Sequence, residues 1–157
     1  MKAGKILIRI ACTGFLLLAS AEEGERRAPL FEDLGDHHHE ITTNSETVQR
    51  YFDQGLRLAF AFNHAETARS FREAARLDPE CAMCWWGVAL VLGPNYNAAM
   101  PPEDVAEAWG AVRKAGALAA KASERARAYI EALAKRYAEK PPEDRKALDV
   151  AYSKAMR

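Results

Sequence analysis

The chain is expected to be all-α, built of antiparallel helix hairpins stacked side by side, and three observations predict this. Two stretches superpose at a shift of 34 residues, Tyr51, Gln54, Gly55 and Leu58 falling on Trp85, Val88, Ala89 and Leu92, which marks a repeated supersecondary unit. Apolar residues recur on a helical period, most clearly at Val48, Tyr51, Phe52, Gly55, Leu58, Ala59 and Phe62. Breaks at Leu77-Asp78-Pro79 and Gly93-Pro94 then cut the periodic stretches into helix-sized pieces.

The first helix is expected to start at Thr43, Asn44 or Ser45, which offer capping oxygens, with Thr43 and Glu46 at capping-box spacing. Asn63 and His64 make a short turn. Ala65, Ala68, Phe71, Ala74 and Ala75 mark a second helix that must stop at Asp78-Pro79, because proline disfavours helical geometry in the residue before it. A third helix runs from near Glu80 to Gly93-Pro94, where glycine tolerates a terminating conformation and proline cannot continue the ladder. An irregular loop follows, from Asn95 to Met100.

Pro101-Pro102-Glu103-Asp104 recurs as Pro141-Pro142-Glu143-Asp144. Proline in the first turn and acids at the positive helix end read as two helix starts. Between them lie a fourth helix, Glu103 to about Ala120, and a fifth capped by Ser123 and carrying Ile130, Leu133, Ala134 and Tyr137; a sixth runs on to Arg157. Those four positions repeat Trp85, Val88, Ala89 and Leu92 at an offset of 45 rather than 34. The loop from Gly93 to Pro102 is therefore an insertion, of the kind that often serves binding.

At 157 residues, 49% apolar and 28% charged, the chain can bury one real core. Lys plus Arg and Asp plus Glu both number 22, so no net field draws it to nucleic acid or an acidic membrane surface. Basic residues from Arg113 to Lys146 alternate with acids as on solvated helix faces. The first 21 residues differ: Lys2 and Lys5 precede an apolar stretch from Ile10 to Ala19, and Ala19-Ser20-Ala21 has a small-x-small cleavage pattern. That stretch falls short of the roughly 20 apolar residues of a permanent membrane span. The expected organisation is a signal peptide at 1–21 cleaved near Ala21, an irregular arm at 22–44, and a helical repeat domain at 45–157. Export implies a periplasmic or extracellular location.

After cleavage two cysteines remain, Cys81 and Cys84, in a compartment where disulfides persist. A local disulfide or inert thiols is the preferred reading. The alternative is a metal or thiol-redox site that joins this pair to two of His37, His38 and His39 in the arm, the usual four-ligand count. Redox and haem motifs fit poorly, because no strand precedes the pair and Trp85 stands where haem attachment needs histidine. Ser20, Ser45, Ser70, Ser123 and Ser153 lack the glycine-flanked turn of a hydrolase nucleophile. An enzyme is not expected, and no cofactor is implied.

Aromatic, leucine and small residues at repeat positions 4, 7, 8 and 11, followed by Phe71, Ala74 and Pro79 at 24, 27 and 32, resemble the tetratricopeptide repeat. The longer string from Gly35-Asp36-His37-His38 through Tyr51 to Leu56 and Cys81 to Gly87, ending at Gly93-Pro94-Asn95-Tyr96-Asn97, is similar to a group of secreted bacterial proteins with such repeats. The resemblance implies a short right-handed solenoid with a concave groove lined by Gln49, Phe52, Leu56 and Ala59, then Met83, Trp86, Leu90 and Gly93. Its implied role is an exported scaffold holding a peptide or protein partner through Gln49, Phe52, Leu56, Met83, Trp86, Asn95, Tyr96 and Asn97. The arm from Ala28 to Ile41 is a rival occupant of the same groove. Repeat arrays need a solvated terminal cap; the sixth helix carries none, so its outer face is expected to be covered by a continuation of the chain or by another subunit.

Overall fold

Ser45, Asn63, Cys81 and Ser123 each stand just ahead of a helix and accept a hydrogen bond from the backbone N–H three residues on. Such caps satisfy a donor that the first helical turn leaves free. In the computed structural model, which describes residues 28–157, these caps open α1 (Glu46–Phe60), α2 (His64–Leu77), α3 (Ala82–Leu92) and α5 (Glu124–Ala134). A 3₁₀ turn at Pro102–Asp104 leads into α4 (Val105–Leu118), and α6 spans Lys146–Ala155. No strand occurs among the described residues, so the fold is all-α as expected. The signal peptide expected at 1–21 and the beginning of the arm to residue 27 lie outside the described residues.

Several local expectations are corrected. Thr43 does not cap α1: its hydroxyl donates to Asp78 at 2.7 Å, tying the end of the arm to the α2–α3 turn, and Ser45 caps instead. Of the two Pro-Pro-Glu-Asp segments only the first starts a helix. At the second, the Asp144 carboxylate accepts from the N–H of Lys146, and α6 begins four residues after Pro142. Gly93 is extended (φ −71°, ψ 173°), so it is not needed for a left-handed turn. A side chain there would strike the hydroxyl of Tyr137, which lies beyond the end of α5 and donates to the carbonyl of Ala89. The left-handed position falls at Phe62 (φ 59°), whose N–H bonds Ala59 while that of Asn63 bonds Leu58, the usual glycine-closed helix ending.

Each helix packs on its chain neighbours, and α1 also touches α3, as α3 touches α5. Helix α3 is thus flanked by α1, α2, α4 and α5, and its sequence, AMCWWGVALVL, carries no charge. A helix apolar on all sides has to be enclosed. Where α1, α2 and α3 meet, the fully buried ring of Phe71 fills the space left by two glycines, Gly55 and Gly87. A methyl at Gly55 would stand 2.5 Å from the ring, and one at Gly87 would also overlap it. On the outer surface Arg72 of α2 holds Glu107 of α4 through two bonds, 2.6 and 2.7 Å. Among the described residues no helix is long and apolar enough to cross a membrane.

These contacts decide the sign of a simple substitution. Alanine is favoured over glycine inside a helix by about 1 kcal/mol, whereas overpacking a filled core costs about 1–3 kcal/mol. Gly55→Ala and Gly87→Ala should each lower unfolding stability, by up to about 2 kcal/mol, in urea titrations. A gain in stability at either site would mean that Phe71 does not fill the junction.

Candidate functional site

Gln49, Asp53 and Arg57 follow one another at intervals of four on α1, and so form one stripe along it. The arm lies on this stripe. The Gln49 amide accepts from the N–H of Ile41 at 3.0 Å and donates to the carbonyl of His39 at 2.9 Å. Asp53, almost fully buried, accepts from the N–H of His39, from Gln49 and from Nδ1 of His38 at 2.8 Å. A carboxylate can only accept, so Nδ1 of His38 carries the proton. Arg57 then donates its Nε to the carbonyl of His37 at 2.8 Å.

Beyond His37 the arm turns back at Gly35, where φ is +80°, a backbone conformation that glycine adopts without strain. It returns along a second flank of α1. There the Gln54 amide accepts from the N–H of Phe31 at 2.7 Å and donates to the carbonyl of Pro29 at 2.8 Å, while the Tyr51 hydroxyl donates to the carbonyl of Ala28. The two glutamines do the same thing. Each bridges the carbonyl of one arm residue and the N–H of the residue two further on, the pairing that a neighbouring β-strand would offer. A helix thereby holds an extended segment by its main chain.

His39 sits deepest. Its ring lies 6.1 Å from that of Phe52 on α1 and 6.1 Å from that of Tyr129 on α5, so it spans the groove between them. Tyr129 is in turn fixed by Trp86 of α3, whose indole N–H donates to the Tyr129 carbonyl, and by Arg125 over its ring. Burial holds the His39 pKa below its usual 6.5, Arg125, His37 and His38 lower it further, and Asp53 opposes them. The neutral imidazole is the form that fits.

The expected groove residues therefore divide. Gln49 and Phe52 lie against the chain's own arm, and Trp86 stands behind Tyr129. Phe52, Leu56 and Met83 are buried side chains rather than open anchors. Asn95, Tyr96 and Asn97 stand apart: the Asn95 side chain accepts from the N–H of Asn97 and of Ala98, closing its own loop, and Tyr96 is 98% exposed. The four residues of the alternative metal site are not brought together. His37 meets the ring of Phe60, His38 is on Asp53, and Cys81 and Cys84 are bonded to each other at the buried start of α3. No group of three or more His, Cys, Asp or Glu among the described residues is placed to hold a metal ion.

Sequence reasoning did not single out Asp53, Gln54, Arg125 or Tyr129 as groove residues. A signal existed for the first two, since Asp-Gln in the middle of the apolar stripe of α1 calls for buried partners. A polar cleft of about 570 Å³ adjoins the groove, between residues 40–44 of the arm and the turns that carry Asp78, Glu80, Lys121 and Ser123. Compared with protein families, with curated proteins and with solved structures, the chain matches none.

Because the folded arm lowers the His39 pKa, its docking is fully favourable above the ordinary value of 6.5 and weakens as pH falls below it toward the folded value. The melting temperature should thus drop between about pH 7 and pH 5, and less so in His39→Gln; equal slopes in the two proteins would show that His39 is not the group responsible. The Cys81–Cys84 bridge closes a short loop, so reduction should cost about 2 kcal/mol or less. Since both sulfurs are buried, mass spectrometry after brief reductant exposure should find the bridge intact in the native protein and broken only in denaturant.

Proposed function

We propose that this chain is an exported helical-repeat scaffold of the tetratricopeptide kind, whose groove on α1, α3 and α5 holds extended polypeptide, and that its own arm occupies the groove in the resting state. One observation carries the reading. Gln49 and Gln54 grip the arm through main-chain carbonyl and N–H groups, which any extended peptide supplies. Phe52 and Tyr129, the latter backed by Trp86, add an aromatic slot for one ring, now filled by His39. The arrangement serves holding rather than reaction. Export and periplasmic or extracellular location rest on the composition of residues 1–21 and agree with a disulfide at Cys81 and Cys84. A partner segment has to displace the arm, and a groove open in only a tenth of molecules binds roughly tenfold more weakly than a free one.

The test uses a peptide of residues 36–42 as probe. Added in trans to the mature chain carrying His39→Gly and Ile41→Gly, which loosen the arm, it should bind at least roughly tenfold more tightly than to the wild-type chain. Adding Gln49→Ala to the loosened chain should abolish that binding. If the loosened chain keeps its helical circular dichroism and melting transition yet binds no peptide, the groove is not a peptide-holding surface.

A further inference from the structure

Away from the groove, two arginines meet where α5 gives way to α6. Arg136, just past the end of α5, donates Nη2 to the carbonyl of Pro94 and sets its guanidinium over Tyr152 of α6, with Cζ 5.0 Å from the ring centre. Arg145, just ahead of α6, donates Nη2 to the carbonyl of Arg136 at 2.6 Å. Each guanidinium has five donors. Nε of Arg136 and both Nε and Nη1 of Arg145 are buried without a hydrogen-bond partner, and they are the only buried side-chain polar atoms among the described residues in that condition. The buried polar groups of α1 and α2 behave otherwise, since Asp53, Gln54, Ser70 and Glu73 all have partners.

Among the described residues neither arginine has a counter-ion. No acid on the same stretch, Glu139, Glu143, Asp144 or Asp149, forms an ion pair with them among the described residues, and Asp144 is turned to the N–H of Lys146. Both cations also act on one buried hydroxyl. Burial pushes the Tyr137 pKa up to about 12, and Arg136 and Arg145 both oppose that rise. Two like charges beside one buried group, with donors left over, are an unusual arrangement for a fold to keep.

The geometry points to an oxyanion site, in which a carboxylate or phosphate group is held jointly by Arg136 and Arg145. Water could fill the free donors, but it would leave the two positive charges uncompensated; an oxyanion satisfies both the donors and the charge. The approach is basic. Arg145 forms one wall of an open cleft along α6 that also includes Lys146, Lys154 and Arg157, against two acids, Asp144 and Asp149. Tyr152 lies beneath the Arg136 guanidinium and holds its plane, while Arg136 itself stands behind the cleft rather than on its wall. The ligand joins the loop after α3, the end of α5 and the start of α6, the three segments the arginines already touch.

The mature chain is titrated separately with inorganic phosphate and with citrate at constant ionic strength set by sodium chloride, following the Nε–H resonances of the arginines and the heat of binding. Saturable binding by either anion, with the Arg136 and Arg145 signals moving together, is the expected result. Phosphate alone assigns a phosphoryl ligand, citrate alone a carboxylate, and both the shared chemistry. Arg145→Gln should weaken binding about tenfold or more, and Arg145→Lys, which keeps charge but loses the fork, less so. Circular dichroism checks the fold of each, and Arg136→Lys serves as an independent second site. A response no larger than that to chloride overturns the proposal, the donors then being hydrated only. Saturable binding that ignores every one of these variants overturns it too, because the anion then sits elsewhere.

Discussion

Phe71 stands where α1, α2 and α3 converge, and the approach of those three helices depends on its ring having a glycine on either side. Gly55 and Gly87 lack the atoms that would hold α1 and α3 away from α2, so the ring fills a space made for it. Truncating such a side chain typically costs about 3–5 kcal/mol, a large fraction of the total stability of a domain this size. The rest follows from that closeness. With α3 drawn in, its charge-free surface is enclosed by α1, α2, α4 and α5, and Trp86 is carried to the position where it supports Tyr129.

The arm completes the same core from outside. Ala28 and Ile41, at its two ends, are buried with the helix residues in one continuous apolar cluster. Polar side chains on α1 would be a liability if water left them without replacing their bonds; the arm supplies most of those bonds, two to Asp53 and two to each glutamine amide counting carbonyl and N–H, and Gln49 of α1 adds the third to Asp53. Arm and helix are thus mutually dependent, α1 offering side chains where the arm offers main chain. The depressed pKa of His39 and the three donors on Asp53 are two aspects of this one enclosure.

Much of the fold was legible because helices announce themselves through period and punctuation. Tyr51, Gly55 and Phe71 were found as repeat positions and the cap at Ser123 as a polar residue ahead of an apolar period, while Ser45 was one of three candidates for the start of α1. What failed was local and competitive. Pro141 to Asp144 has the same four letters as Pro101 to Asp104, but Arg145 is held at the end of α5 and the helix starts later. Phe62 takes a left-handed conformation that no rule based on residue type assigns to phenylalanine. The role of Gly87 was invisible, since it lies outside the repeat register and its meaning depends on a ring 16 positions away. Of the residues that meet the arm, Gln49 and Phe52 were named from the sequence whereas Asp53, Gln54 and Tyr129 were not, and the arm was only one option as occupant, because no periodic signal says where an irregular arm will lie.

A segment gripped mainly by its carbonyl and N–H groups is almost anonymous to the surface that grips it. Between Ala28 and Ile41 several side chains carry no recognition; Glu32, Asp33 and Asp36, for instance, are exposed, whereas Gly35 is constrained by its turn, His38 by Asp53 and His39 by its slot, and Ala28 and Ile41 are buried. Relatives that share this architecture can therefore let the arm drift in composition while Gln49, Asp53 and Gln54 stay fixed. In an alignment much of the arm would look like an unconstrained spacer beside an oddly polar helix, and the interaction between them would be written mainly on the helix.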